Sequence, residues 1–370
     1  MPTVGTRETA VVRVDGRRVR RSSITIVGAV VVMIAGAPSA TAERPEAKQP
    51  AGAIPQAHDC VPKSRAERGD ATIPWKTLSN PILEFDDHMI KDQTLRLIDG
   101  EWHLFYSERF EVPAPGGTGY AVSTDLAEWA TIERQFPEQG SPDITRAEDG
   151  RYLITSQRND PSGGEVNQLV YQSATDPNAE WSSPAQLVAG EFTDERIIDA
   201  ALAHTKQGLF LLFKRGLHED IIQPIALAHS PSGSPDGPWE ILGEPSLTFA
   251  ENFQFLVIDG KWHVLTTKIP VHVPTLYQLA GDPSKPESWL KWKEVAKFEI
   301  PQAAWNEGRT PGITHETANS AHLCDARRLD GYWYLTFAGS TELETFEGRG
   351  HAKIGIARSK DLKKWEVPPG

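Results

Sequence analysis

A short hairpin phrase returns throughout this chain, and it restricts the fold more than any other feature. It reads "DGEWHLFYSER" at 99–109, then "DGRYLITSQR", "DGKWHVLTTK" and "DGYWYLTFAG" further along. In each copy a turn glycine opens a segment that alternates apolar and polar residues, the pattern of a β-strand leaving a tight hairpin. The turn glycines are Gly100, Gly150, Gly208, Gly260 and Gly331, spaced 50, 58, 52 and 71 residues apart. A further apolar strand follows each, then a turn rich in Asp, Pro, Ser or Gly, then Trp129, Trp181, Trp239, Trp289 or Trp365. Self-similarity at a period of ~50 residues is the mark of a propeller blade. Five such units closed in a ring remove the long sheet edges that invite aggregation. The expected fold is all-β, a single five-bladed β-propeller over residues 76–370.

The N-terminal segment reads differently. Arg17, Arg18, Arg20 and Arg21 precede the apolar run "ITIVGAVVVMIAGA", and Ala40-Thr41-Ala42 fits a small-residue cleavage site. This is the grammar of a secretory signal over residues 1–42, with Arg20-Arg21 loosely matching the twin-arginine type. Residues 43–75, rich in Pro, Ala and charge, read as a linker and N-terminal arm. The expected location is outside the cell or in the periplasm, with no membrane attachment once the signal is removed. The formal charge of -12 argues against nucleic acid as a partner. Cys60 and Cys324 are the two cysteines, and in an exported protein they permit one disulfide. The last unit leaves little chain for an outer strand, which "PWKTLSNPILEF" before the first unit would supply; a Cys60–Cys324 bridge would then pin the ring closed.

In a propeller blade the start of the first strand and the end of the second lie on one face. Counting back from the turn glycines places Asp92, Asp143, Asp199 and Glu251 at matched offsets in blades one to four, with His322 in blade five. The ends of the second strands carry Arg109, Arg158, Lys214 with Arg215, and Lys268. Carboxylates ringed by cations spread their pKa values apart, as paired acid–base chemistry requires. Clustered carboxylates, without Cys/His metal spacing or a GxSxG, HExxH or Walker motif, point to glycosidic bond cleavage with no cofactor and no metal. Further candidates for binding an oligo- or polysaccharide are His88 and Gln93 near the first acid. In the insertion before blade five, Trp305, His315 and Asn319 are expected near the channel mouth.

The blade rhythm, with Asp92 in "IKDQTLRLIDG", Asp199 in "RIIDAALAHTKQG" and Glu251 in "FAENFQFLVIDG", resembles glycoside hydrolase family 43 and its clan. That resemblance implies Asp92 as general base, Asp199 as the residue that orients and tunes the acid, and Glu251 as general acid. It also implies inversion at the anomeric carbon, a substrate-binding role for Asp143, and arabinose- or xylose-based glycans as substrates. Family members commonly carry Pro after the first and third-blade Asp and Gly-Pro after the Glu; here Gln93, Ala200 and Asn252-Phe253 stand there, which places the chain on a remote branch. Glu195 in "TDERIID" is a rival acid. Two other readings of the same residues are a glycoside phosphorylase and a non-catalytic carbohydrate-binding propeller.

Overall fold

The computed structural model describes residues 60–110, 116–158, 168–216, 223–306, 318–340 and 352–369, without the side chains of 133–135. The described residues hold five antiparallel sheets, one per sequence unit. Blade one is β1 (His88–Ile98), β2 (Glu101–Phe110), β3 (Gly117–Ser123) and β4 (Ala130–Pro137). Blade two is β5 (Gln139–Arg146), β6 (Tyr152–Arg158), β7 (Gln168–Ala174) and β8 (Ala185–Gln186). Blade three is β9 (Arg196–Thr205), β10 (Gly208–Gly216), β11 (Ile225–Ser230) and β12 (Glu240–Gly243). Blade four is β13 (Ala250–Ile258), β14 (Lys261–Lys268), β15 (Val273–Leu279) and β16 (Trp292–Lys297), and blade five is β17 (Asn319–Asp325), β18 (Trp333–Gly339) and β19 (Lys353–Ser359).

Sheet order follows chain order within every blade, and the first strands β1, β5, β9, β13 and β17 touch one another in sequence around the axis. Burial falls outward. β9 is buried along nearly its whole length, whereas β12 and most of β16 face solvent. An inner strand covered on both faces needs a near-continuous apolar run, which "RIIDAALAHT" provides.

The recurrent tryptophans seal the seams between blades. Trp181 of blade two packs edge-on against Phe105 and Phe136 of blade one. Trp289 of blade four lies flat on Phe210 of blade three, centroids 4.0 Å apart. Trp365 meets Phe298, which follows the last strand of blade four. Each aromatic thus fills the wedge that opens as twisted sheets fan outward.

Closure uses two pieces of chain. Ile82 and Leu83 hydrogen-bond to Ile354 on β19, with Leu83 forming an antiparallel bridge to it. Asn80 adds side-chain bonds to Ile356 of the same strand. Further along β19, Arg358 bridges to Glu366 from the other side of the sequence. The outer edge of blade five is therefore shared between the segment before blade one and the residues after β19. Cys60 and Cys324 are joined by a disulfide, Cα atoms 5.1 Å apart. Cys60, Val61 and Trp75 are buried in a core that also contains Leu95 of blade one and Tyr334 of blade five, so residues 60–75 pack against the closing seam.

Candidate active site

Every innermost strand carries the same irregularity. Pairing slips between Lys91 and Thr94 on β1, Gly140 and Asp143 on β5, Glu251 and Gln254 on β13, and Asn319 and His322 on β17; on β9 the slip lies opposite Leu212–Lys214. At each slip one residue adopts a left-handed backbone: Asp92 (φ 51), Ser141 (φ 47), Asp199 (φ 58), Asn252 (φ 52) and Ser320 (φ 50). Such a bulge bends the strand and re-aims one side chain. For an L-residue the conformation costs ~1–2 kcal/mol, least for Asp and Asn, whose short polar groups bond locally. Here five side chains point at the axis and satisfy one another. Asp92 accepts from Ser320 Oγ (2.7 Å), Asn252 Nδ2 (3.0 Å) and Ser107 Oγ (3.0 Å). Ser141 Oγ lies 2.9 Å from Asp199 Oδ1 and 3.3 Å from Asp92 Oδ2. The backbone N–H of Asn252 reaches Asp199 Oδ2 at 3.4 Å.

Above this ring, one residue before the blade-four bulge, stands Glu251, its side chain 18% exposed. Lys214, opposite Ile198 on β10, donates to Glu251 Oε2 at 2.7 Å and lies 3.9 Å from Asp199 Oδ2. Lys91 on blade one sits 3.7 Å from Asp92 Oδ2. Together these side chains floor a small depression that opens to solvent. Asp92, Ser141, Asp143, Asp199, Asn252, Ser320 and His322 are among the residues that line it.

The electrostatics separate the carboxylates. Burial pushes Asp92 up, but Lys91, the Ser320 and Ser107 hydroxyls and Arg109 outweigh it and hold the group below its ordinary value. Burial likewise acts on Glu251, and Lys214 reverses it by charge and hydrogen bond, so Glu251 is also held low. Asp199 is raised by burial, which Lys214 offsets only in part while Glu251 and Asp92 add to it. The single proton of the Ser141 hydroxyl cannot serve two carboxylates. A proton on Asp199 resolves this, since Asp199 then donates to Ser141 and Ser141 to Asp92. Asp143 lies one pleat deeper, beside Arg96 (3.8 Å). Burial lifts it to about 7 against Arg96 and the Leu202 backbone N–H.

The structure places Asp92, Asp199, Gln93, Asp143 and His322 in the pocket lining, and joins Glu251 to Asp199 through Lys214. The offsets do not align the blades correctly in three units: Glu251 stands one residue before the blade-four bulge position, Asn252. Asp143 and His322 share a level with Thr94 and Gln254, below the ring, and the bulge positions of blades two and five belong to Ser141 and Ser320. Arg109 is exposed but within electrostatic reach of Asp92. Arg158 is half-buried at the end of β6, outside the lining. Arg215 points away from the pocket. It is bonded to Glu195 at 2.8 Å and stacked on Phe192, so the cation at the site is its neighbour Lys214, and Glu195 is occupied elsewhere. Lys268 reaches the hydroxyl of Tyr277. His88 is sandwiched between Phe85 and Phe110 and bonded to Asp87. Trp305 does not cover the channel: its ring lies against Phe337, Gly339 and Gly355 of blade five, and a Cβ on Gly355 would sit 2.4 Å from it. Asn319 accepts from the Ser320 backbone N–H, while His315 lies outside the described residues. Sequence reasoning missed Ser107, Ser141, Asn252, Ser320, Lys91 and His272, the last hydrogen-bonded to Asn319 and within electrostatic reach of Glu251. Among the described residues, no group of three or more His, Cys, Asp or Glu side chains is placed to hold a metal ion, and no helix is long and apolar enough to cross a membrane.

No protein-family profile and no curated protein sequence matches the chain. Solved structures do. A xylan β-1,4-xylosidase from Bacillus halodurans aligns at TM-score 0.53 and 14% identity, over 78% of this chain and 56% of that one, so the chain spans little more than half of that protein. A thermostable family-43 glycoside hydrolase aligns at TM-score 0.53 and 13% identity, over 80% of this chain and 96% of its own. The catalytic domain of a family-62 α-L-arabinofuranosidase from Coprinopsis cinerea aligns at TM-score 0.54 and 14% identity, over 75% and 94%. The protein thus shares the five-bladed propeller of the family-43 and family-62 glycoside hydrolases.

Proposed function

We propose that this protein is an exported glycoside hydrolase that cleaves arabinose- or xylose-based glycans with inversion at the anomeric carbon. The observation that carries the reading is that Asp92 and Asp199, from blades one and three, line one axial pocket, with Glu251 of blade four tied to Asp199 through Lys214. Blades one and four are not neighbours in a ring of five, so Asp92 and Glu251 face each other across the axis, as an inverting acid–base pair must. Asp92, ionised and held by three or four donors, is suited to take a proton from water. Glu251, at the rim, is suited to protonate the departing oxygen.

For that role Glu251 must carry a proton, yet the charge and hydrogen bond of Lys214 favour its ionised form. Lys214 lies between Glu251 and Asp199. A sugar that displaces it toward Asp199 would favour the ionised form of that carboxyl, which gives up its proton, and would free Glu251 to accept one. Asp199 thus acts as proton reservoir for the acid. Two structures of similar fold, an arabinofuranosidase in complex with cellotriose and a family-62 hydrolase in complex with xylotriose, are consistent with oligosaccharide substrates. The disulfide fits an oxidising compartment and hence export. Phosphorolysis is the weaker reading, because both pocket lysines are engaged by carboxylates.

The test is a panel of nitrophenyl pentosides and pentose oligosaccharides followed by proton NMR of the first-formed anomer. The product is expected with inverted configuration. Asp92→Asn should lower kcat by about 10²–10⁴-fold, the range of general acid–base catalysis. Glu251→Gln should impair oligosaccharides far more than nitrophenyl glycosides. Product with retained configuration, or full activity in Asp92→Asn, would overturn the mechanism.

A further inference from the structure

Beneath the carboxylate ring, two buried polar atoms have no partner: His322 Nδ1 and Gln93 Oε1. Both residues line the same pocket, and both are at least nine-tenths buried, with relative exposures of 4% and 3%. What each atom can do is set by what its other end already does.

His322 Nε2 faces three groups: Arg96 Nη1 at 2.8 Å, Gln254 Nε2 at 2.8 Å and Thr94 Oγ1 at 3.0 Å. A guanidinium N–H always carries its hydrogen. The Gln254 amide is fixed as well, since it donates to Leu323 O (2.9 Å) and accepts from Leu323 N (2.8 Å). Two N–H groups therefore aim at one ring nitrogen, which must be the bare, accepting one. The ring proton sits on Nδ1. Protonating Nε2 would set N–H against N–H beside a buried guanidinium; burial and the Arg96 charge accordingly depress the imidazolium well below its usual range. Gln93 obeys the same logic. Its Nε2 donates to the Ser320 carbonyl at 2.6 Å, and a flipped amide would place oxygen against oxygen. Its free atom is an acceptor.

The pocket floor thus presents one orphan donor and one orphan acceptor. An unsatisfied buried polar atom costs roughly 1–3 kcal/mol, so natural proteins keep few of them. A hydroxyl group both donates and accepts, so the hydroxyls of a sugar can satisfy both atoms. We propose that His322 Nδ1–H and Gln93 Oε1 recognise hydroxyl oxygens of an uncharged sugar seated at the pocket floor, with Arg96 the positioning residue that keeps His322 neutral and its proton on Nδ1. This rests on the glycosidase reading and sharpens it. The site selects a sugar bearing a hydroxyl on its inward edge, and the carboxylates Asp92, Asp143 and Asp199 in the lining disfavour a carboxylated or phosphorylated sugar.

The test compares His322→Asn, whose amide N–H overlays the imidazole Nδ1–H, with His322→Leu, which has none. The substrates are whichever nitrophenyl arabinofuranoside or xyloside the wild type hydrolyses, and its monodeoxy analogues. His322→Leu should raise KM at least about 10-fold while His322→Asn stays within a few-fold. One deoxy analogue should bind wild type about 10-fold more weakly yet bind the Leu variant no worse than the parent sugar. Gln93→Met supplies the same comparison should His322→Leu not fold. In ¹⁵N-labelled wild type, the Nδ1–H resonance should persist unchanged in position from neutral to mildly acidic pH and shift on addition of the sugar. Equal behaviour of the Asn and Leu variants, or equal deoxy penalties in wild type and Leu, would overturn the inference and leave the glycosidase reading intact. A wild type that hydrolyses no glycoside would remove both.

Discussion

Asp143 shows how one side chain can set the pH response of the fold. Burial pushes its carboxyl up to about 7 in the folded chain, well above the ordinary value near 3.8. Between these values the folded chain holds a proton that the unfolded chain has released. The contribution of Asp143 to stability is therefore greatest at low pH, declines as pH rises from about 4 to about 7, and levels off above. Thermal melts of Asp143→Asn against wild type should show the variant losing this decline and gaining relative stability at pH 8. A parallel pair of curves would refute the assignment. The same residue marks a limit of sequence reading. Asp143 drew attention because carboxylates are conspicuous, yet the position that meets the axis in blade two is Ser141, two residues earlier, which no composition-based argument would select. Lys214 and Arg215 differ by one place and so face opposite sides of β10, and a strand interrupted by a bulge hides which side is which.

At the scale of the element, the hairpin phrase and its tryptophan made the blades visible, because turn glycines and alternating strands are locally encoded. The bulges are not. They arise where five twisted inner strands crowd one axis, and their sequence trace is only a short polar residue after a mostly apolar approach. Asp92, Asp199 and Glu251 were legible because they fall at similar distances from their glycines, while Ser107 and Ser320 matter only through neighbours distant in sequence. Trp305 was misplaced for the same reason: an aromatic in an insertion can stack on a ligand or on a blade, and Gly339 and Gly355 provide the flat surface that takes it. The seam aromatics carry the stability of the ring. Trp289 is fully buried and lies on Phe210, so Trp289→Ala should destabilise the protein by about 3–5 kcal/mol in denaturant titrations. A loss below about 1 kcal/mol would show that blades three and four are held by something else.

For the whole molecule, closure is the decisive event. The Cys60–Cys324 bridge spans 264 residues, and chain-entropy arguments assign a loop that long roughly 5 kcal/mol, with native strain and residual structure reducing the realised value. Cys60→Ser with Cys324→Ser should lower the melting temperature by several degrees while leaving the pocket geometry, and hence KM, nearly unchanged. An unchanged melting temperature would show that the hydrogen-bonded closure suffices alone.

The divided outer edge of blade five has a consequence in time. Leu83 emerges from the ribosome long before Ile354 and Glu366, so its pairing partner does not exist while blades one to four are being made. The early segment waits, unclasped, until almost the last residues arrive, and the ring then locks from both ends at once.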